Sequence, residues 1–136
     1  MSAREIVAQG RTLQQAFGEA ALAMFALAVD LGAVQPREVR EVRAHGTSLE
    51  SLLVHWITEC GYVQDIEGFA CRSVDFAVFD VERKPGGEPM RLHAFLHGEV
   101  DAEDARSDGG FEVASAGAIE IRPLDEGYEI RFTVQT

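Results

Sequence analysis

Residues Gly10 to Gly32 read GRTLQQAFGEAALAMFALAVDLG, and their spacing decides what kind of fold the chain can make. Leu13, Ala16, Phe17, Ala20, Ala21, Met24, Phe25 and Ala28 recur three and four residues apart, which lines one face of a helix. Thr12, with Gln15 three positions on, has the form of a capping box: the hydroxyl takes an orphan N–H of the first turn and the amide reaches back. Gly32 follows the last apolar pair and Pro36 comes soon after, both common beyond a helix end. The spacing predicts a first helix from Leu13 to Val29.

A second start signal stands at Thr47-Ser48-Leu49-Glu50, again Thr with an acceptor three residues later. Leu49, Leu52, Leu53, Trp56, Ile57 and Cys60 then form an apolar stripe that closes near Gly61, so a second helix is expected from Ser48 to Cys60, or on to Val63. The remainder alternates with period two. Val39–Val42 precedes the second helix and Cys71–Val81 follows it. Arg91–Val100 lies beyond a Lys84-Pro85-Gly86-Gly87 turn, where glycine supplies positive φ and proline a preset φ. Gly109-Gly110 separates a charged loop, 101–110, from a strand at Phe111–Arg122, and Asp125-Glu126-Gly127 turns the chain into Tyr128–Gln135. The order is β-α-β-α-β-β-β-β. Consecutive strands joined by short turns make hairpins, so the fold class is α+β: two helices packed on a mixed, mainly antiparallel sheet, in one domain over residues 1–136. The expected core is Leu13, Phe17, Leu22, Phe25, Leu53, Trp56, Phe76, Phe79, Phe95 and Ile119.

At 136 residues, 46% of them apolar, the chain is long enough to bury a core without disulfide or metal staples. Its 12 Lys and Arg against 23 Asp and Glu leave a net charge of −11, which repels polyanions, so direct nucleic-acid binding is not expected. The longest apolar stretch, Ala20–Val29, is far short of the roughly 20 residues that cross a bilayer, and no signal-peptide pattern opens the sequence. A cytoplasmic protein is expected, with no membrane partner. Cys60 and Cys71 then read as two buried thiols in a reducing compartment.

No self-sufficient catalytic constellation stands out. His93 and His97 share a strand face with Phe95 between them, about 13 Å apart along the strand, too far for one metal. His55 and Glu59 are an i, i+4 pair without a third ligand, and His45 stands alone. Ser115, in ASAGA, lacks the turn of a nucleophile elbow. Neither a phosphate loop nor a dinucleotide fingerprint is present, so any nucleotide chemistry belongs to a partner. Asp30 is the acidic residue that draws notice, because a carboxylate closing a helix meets the negative end of its dipole. The plain alternative is a turn carboxylate in an Asx-type hydrogen bond.

With these elements in place the chain resembles the archease family, small acidic proteins that activate the RNA-splicing ligase of tRNA splicing. The likeness rests on GRTLQQAFGEAALAMFALAVD, residues 10–30, followed by a polar turn and Pro36. It rests equally on SLESLLVHWITECGYVQDIEGF, residues 48–69, with its tryptophan inside the stripe and its Glu-Gly-Phe exit. The strand ending Gly98-Glu99 and the Ile119-Glu120-Ile121 strand also fit, so the likeness spans nearly the whole chain.

The resemblance implies a non-enzymatic accessory protein, holding a divalent metal through aspartates, that promotes guanylylation and turnover of the ligase. Asp30 matches the family's aspartate at the close of helix one. The family's opening His-Thr-Ala-Asp precedes an Ala-x-Gly matched here by Ala8-Gln9-Gly10, but its aspartate falls on Ala3, and no histidine precedes His45. The aspartate of the last strand falls on Gln135, and Ala116-Gly117 replaces a tyrosine-histidine pair. Calcium takes six to eight oxygen ligands. A divalent ion, calcium, magnesium or manganese, is therefore expected to be held weakly or not at all by Asp30, with Glu99, Asp101 or Asp104 substituting if their loop folds toward it. Two other readings stay open: a diverged protein-interaction or chaperone-like module without metal, and an independent hydrolase using His55, Glu59 or Ser115.

Overall fold

Thr12 and Ser48 open the two helices of this protein, each through its hydroxyl. The computed structural model describes residues 3–82, 86–100, 112–113 and 119–135. In chain order the elements are β1 (Ala3–Gly10), α1 (Leu13–Phe25), a one-turn 3-10 helix (Leu31–Ala33), β2 (Glu38–Gly46), α2 (Leu49–Glu67), β3 (Phe69–Asp80), β4 (Met90–Val100), β5 (Glu112–Val113), β6 (Glu120–Leu124) and β7 (Gly127–Gln135). Thr12 Oγ1 accepts from Gln15 N at 3.0 Å, the expected half of the cap, while Gln15 Oε1 accepts at 2.9 Å from Arg11 N, one residue before the N-cap, and not from Thr12 N as a capping box requires. At α2 the cap lies one residue beyond the expected Thr47: Ser48 and Ser51 exchange backbone-to-hydroxyl bonds, and Glu50 instead sits in the first turn, where the dipole favours it.

Both helices end elsewhere than the spacing predicts. α1 stops at Phe25, and the chain tightens through i to i+3 bonds from Leu27 N to Met24 O and from Ala28 N to Phe25 O. α2 runs through Gly61, which is buried and tolerated inside the helix, to Gly68, whose φ of 66° is the left-handed stop.

The strands divide into two sheets, and every described pairing is antiparallel. One sheet has β7 at its centre, with β1 on one side and β6 and β5 on the other; the second is ordered β2-β4-β3. The expected mixed character is absent from the described pairings for a topological reason. β1 and β2 flank α1 but enter different sheets, while β4 lies between β2 and β3. Of the single strand expected at 111–122, the described residues contain β5 and β6, with 114–118 outside them.

α1 lies on β1, β7 and β3, and α2 on β2, β3 and β4. One apolar cluster joins both helices to both sheets, from Ile6 and Ala8 through Phe17, Phe25, Leu53 and Trp56 to Leu96 and Phe132. Leu13, Leu22, Phe76, Phe79 and Ile119 pack against it half-buried. Phe95, expected in the core, is a correction: β4 alternates, with Leu92, Ala94 and Leu96 buried, so Phe95 stands on the other face beside the His93 ring, centroids 4.9 Å apart. Among the described residues no helix is long and apolar enough to cross a membrane.

Candidate functional site

The turn that follows α1 carries the residue the sequence singles out, and its setting differs from the one expected. Asp30 does not close α1; it stands five residues beyond it as N-cap of the 3-10 turn, its Oδ1 accepting from Gly32 N at 3.0 Å. A carboxylate is favoured in that position, so the dipole conflict does not arise and the Asx-type bond is what the structure contains.

Two charged side chains fasten the same turn to the β2-β4-β3 sheet. Arg72 Nη1 donates to Leu31 O at 2.6 Å, and Glu99 Oε2 accepts from Gln35 N at 2.6 Å. Arg72 reaches the turn because it occupies a break in register between Cys71 and Ser73, a bulge that re-aims its side chain. Opposite, Gly98 pairs with Cys71, and a Cβ there would lie 1.8 Å from Ala70 O, so only glycine lets the strands approach this closely. Glu38 Oε2 adds a bond from Val100 N at 3.2 Å.

Asp30 and Glu99 therefore serve one strap, residues 30–35, but among the described residues they do not join a third His, Cys, Asp or Glu in a metal-holding group. Asp101, Asp104 and Ser115 lie outside the described residues. Ala3 and Gln135, where the family likeness would set two aspartates, are register partners across β1 and β7. Neither residue carries a charge. The turn also has its own cation: a Cβ built on Gly32 would lie 3.3 Å from Asp30 Oδ1 and 4.0 Å from Arg72 Nη1. As a donor set for a divalent ion these residues do not fit, having one retained aspartate, already engaged, beside a guanidinium.

The other candidates are placed just as definitely. His55 Nδ1 lies 3.0 Å from His45 N and its Nε2 3.3 Å from Glu59 Oε1, so both ring nitrogens are used. His93 and His97 share the outward face of β4, paired respectively with Glu41 at 2.5 Å and Asp75 at 2.8 Å. Cys60 and Cys71 are free and buried. Burial pushes the Cys71 thiol up to about 12, and burial together with the nearby Cys71 raises Cys60 well above its ordinary value, so neither is a nucleophile at neutral pH.

Sequence reasoning missed Arg72 and Glu129. Glu129, on β7, is buried between Gln9 of β1 and Arg122 of β6, its register partners on either side. It accepts from Gln9 Nε2 at 3.1 Å and from Arg122 Nη2, and Arg131 Nε approaches at 3.4 Å. These bonds, Arg122's foremost, hold its carboxyl below the usual range. Cross-strand register brings the group together, and no local pattern marks it.

A model of the archease protein family matches residues 4–135. "Protein archease" of Pyrobaculum neutrophilum is 32% identical over 132 residues, 95% of this chain and 86% of the relative. "Protein archease" of Pyrococcus abyssi is 37% identical over 119 residues, 87% of this chain and 80% of the relative. The solution structure of protein 1598 of Methanobacterium thermoautotrophicum superposes with a TM-score of 0.71 at 25% identity, covering 100% of this chain and 94% of that one. With helices, sheets and sequence agreeing along the whole length, the chain belongs to the archease family.

Proposed function

We propose that this chain is a non-enzymatic, cytoplasmic accessory protein of an RNA-splicing ligase, promoting guanylylation and turnover of that enzyme. The observation that carries the reading is the family match over residues 4–135, which includes the Asp30 turn. Charge supports the mode of contact. A protein of net charge −11 is attracted to a basic active-site cleft and repelled from RNA, so it binds the ligase and leaves the nucleic acid to it. Asp30 contributes its exposed carboxylate to that contact, held in one orientation by the Gly32 bond and by the strap from Arg72 and Glu99.

A second reading is favoured by one observation, the absence of carboxylates at Ala3 and Gln135. It makes the chain a diverged interaction or chaperone-like module that keeps the scaffold and has lost ligase activation. Guanylylation of the host's own ligase, timed with and without this protein and with an Asp30→Asn variant, separates the two. Acceleration by the native chain, diminished in the variant, supports the activator; ligase captured by the chain but guanylylated at an unchanged rate supports the module.

A further inference from the structure

The β2-β4-β3 sheet packs one face on the helices and leaves the other outward, and where β2 ends and β4 begins that outward face is hollowed. The hollow measures about 340 Å³ and is lined by Arg43 and His45 of β2, Arg91 and His93 of β4, and Val78 of β3. Among the described residues no Asp or Glu lines it, in a chain where acids outnumber Lys and Arg by 23 to 12.

Register explains why the four basic side chains converge. Arg43 pairs with His93 and His45 with Arg91, directly opposite each other on adjacent strands. Opposite Cβ atoms in such a ladder lie about 5 Å apart, and residues i and i+2 on one strand about 7 Å. Four nitrogen-bearing side chains thus rise from the corners of a small rectangle. A ladder ordinarily sets opposite charges across from each other, whereas here each arginine faces a histidine.

Two carboxylates border the hollow and hold part of it in place. Glu41 takes His93 Nε2 at 2.5 Å and reaches Arg43 Nη2 at 3.4 Å, and Asp80 is the register partner of Arg91 on β3. The Arg43 side chain is nonetheless 73% exposed, so its fork can turn inward. The His45 ring is steadied edge-on against His55, centroids 4.8 Å apart.

From this arrangement we propose that the hollow is a binding site for a phosphate monoester. The phosphate lies between Arg43 and Arg91, whose planar forks match its oxygens, and the body of the ester lies against Val78 and the His45 ring. The ligand is compact. Charges farther than about 8 Å are screened at physiological salt, so a single phosphate meets the local cations, whereas an extended polyanion also meets the −11 surface. The site is independent of the Asp30 turn and of the ligase reading.

The test is nuclear magnetic resonance titration of the whole chain with inorganic phosphate and, separately, with a nucleoside 5′-monophosphate, at matched ionic strength in chloride. Saturable shifts confined to residues 43–45, 91–93 and Val78, with the monophosphate binding more tightly, are expected. Arg43→Ala and Arg91→Ala should each weaken binding roughly tenfold, the loss of one charge-assisted contact, while exposed Arg37→Ala leaves it unchanged. The monophosphate should also raise the melting temperature of the native chain but not of the Arg91→Ala chain. Equal binding of both ligands reduces the ester to a simple anion and overturns the ester assignment. Shifts that do not saturate, or that persist in folded arginine variants, overturn the site itself.

Discussion

The indole N–H of Trp56 donates to the backbone carbonyl of Phe17 across 2.9 Å, with both side chains fully buried, and this is where α2 is fastened to α1. Phe76 lies against the indole at 5.4 Å and Phe79 against Phe17 at 5.2 Å, so β3 closes over the joint. Trp56→Phe keeps most of the apolar volume and loses the bond, which should cost about 1–3 kcal/mol. Trp56→Ala also opens a cavity and should cost about 3–5 kcal/mol. Urea unfolding of the two variants measures both; a negligible loss in Trp56→Phe would mean that the bond adds nothing beyond packing.

Asp30 has two separable properties, its hydrogen bond and its charge. Asn is as good an N-cap as Asp, so Asp30→Asn should retain the Gly32 bond and stability, whereas Asp30→Ala should lose about 0.5–1 kcal/mol. The charge is what the ligase would meet. Guanylylation slowed equally by both variants assigns the role to the charge; slowing by Asp30→Ala alone assigns it to the shape of the turn. Calcium or manganese should leave the melting temperature of the native chain unchanged, since the described residues around Asp30 do not compose a ligand shell.

Much of this architecture was legible because it is local. Three- and four-residue spacing marks both helices, and a hydroxyl followed by an acceptor marks their starts. The Gly86-Gly87 turn carries the positive φ values, 89° and 75°, that its composition demands. What was not legible depends on register or on competition between neighbouring solutions. Ala26–Val29 is as apolar as the helix before it, and only the strap from Arg72 and Glu99 shows why the chain leaves the helix there. Phe95 looks like core by type, yet its parity on β4 puts it outside. The division into two sheets, the Arg72 bulge and the basic hollow all require knowing which strand lies beside which.

Cys60 and Cys71 should be inert while the chain is folded. A thiol raised from 9.0 to about 12 has on the order of a thousandfold less thiolate at neutral pH, and burial removes access as well. A disulfide-exchange reagent at pH 7.5 should therefore react with both thiols only as fast as the protein unfolds, and immediately in denaturant. Rapid labelling of the native chain at either site would mean that the core opens there.

Glu129 ties the β1-β7-β6 layer together across three strands, and that role has a pH signature. Arg122, then Gln9, then Arg131 stabilise its ionised form, so its folded value lies below the ordinary 4.5 while its unfolded value does not. Above pH 4.5 its contribution to stability is fully present. As pH falls through that value the unfolded chain takes up the proton first, and stability declines until the folded value is passed. Urea midpoints of the native chain should fall between pH 6 and pH 3. In Glu129→Gln the midpoint should start lower at pH 6, because Arg122 loses its counter-charge, and then fall less steeply toward pH 3. Parallel curves for the two proteins would show that the acid sensitivity arises from other carboxylates.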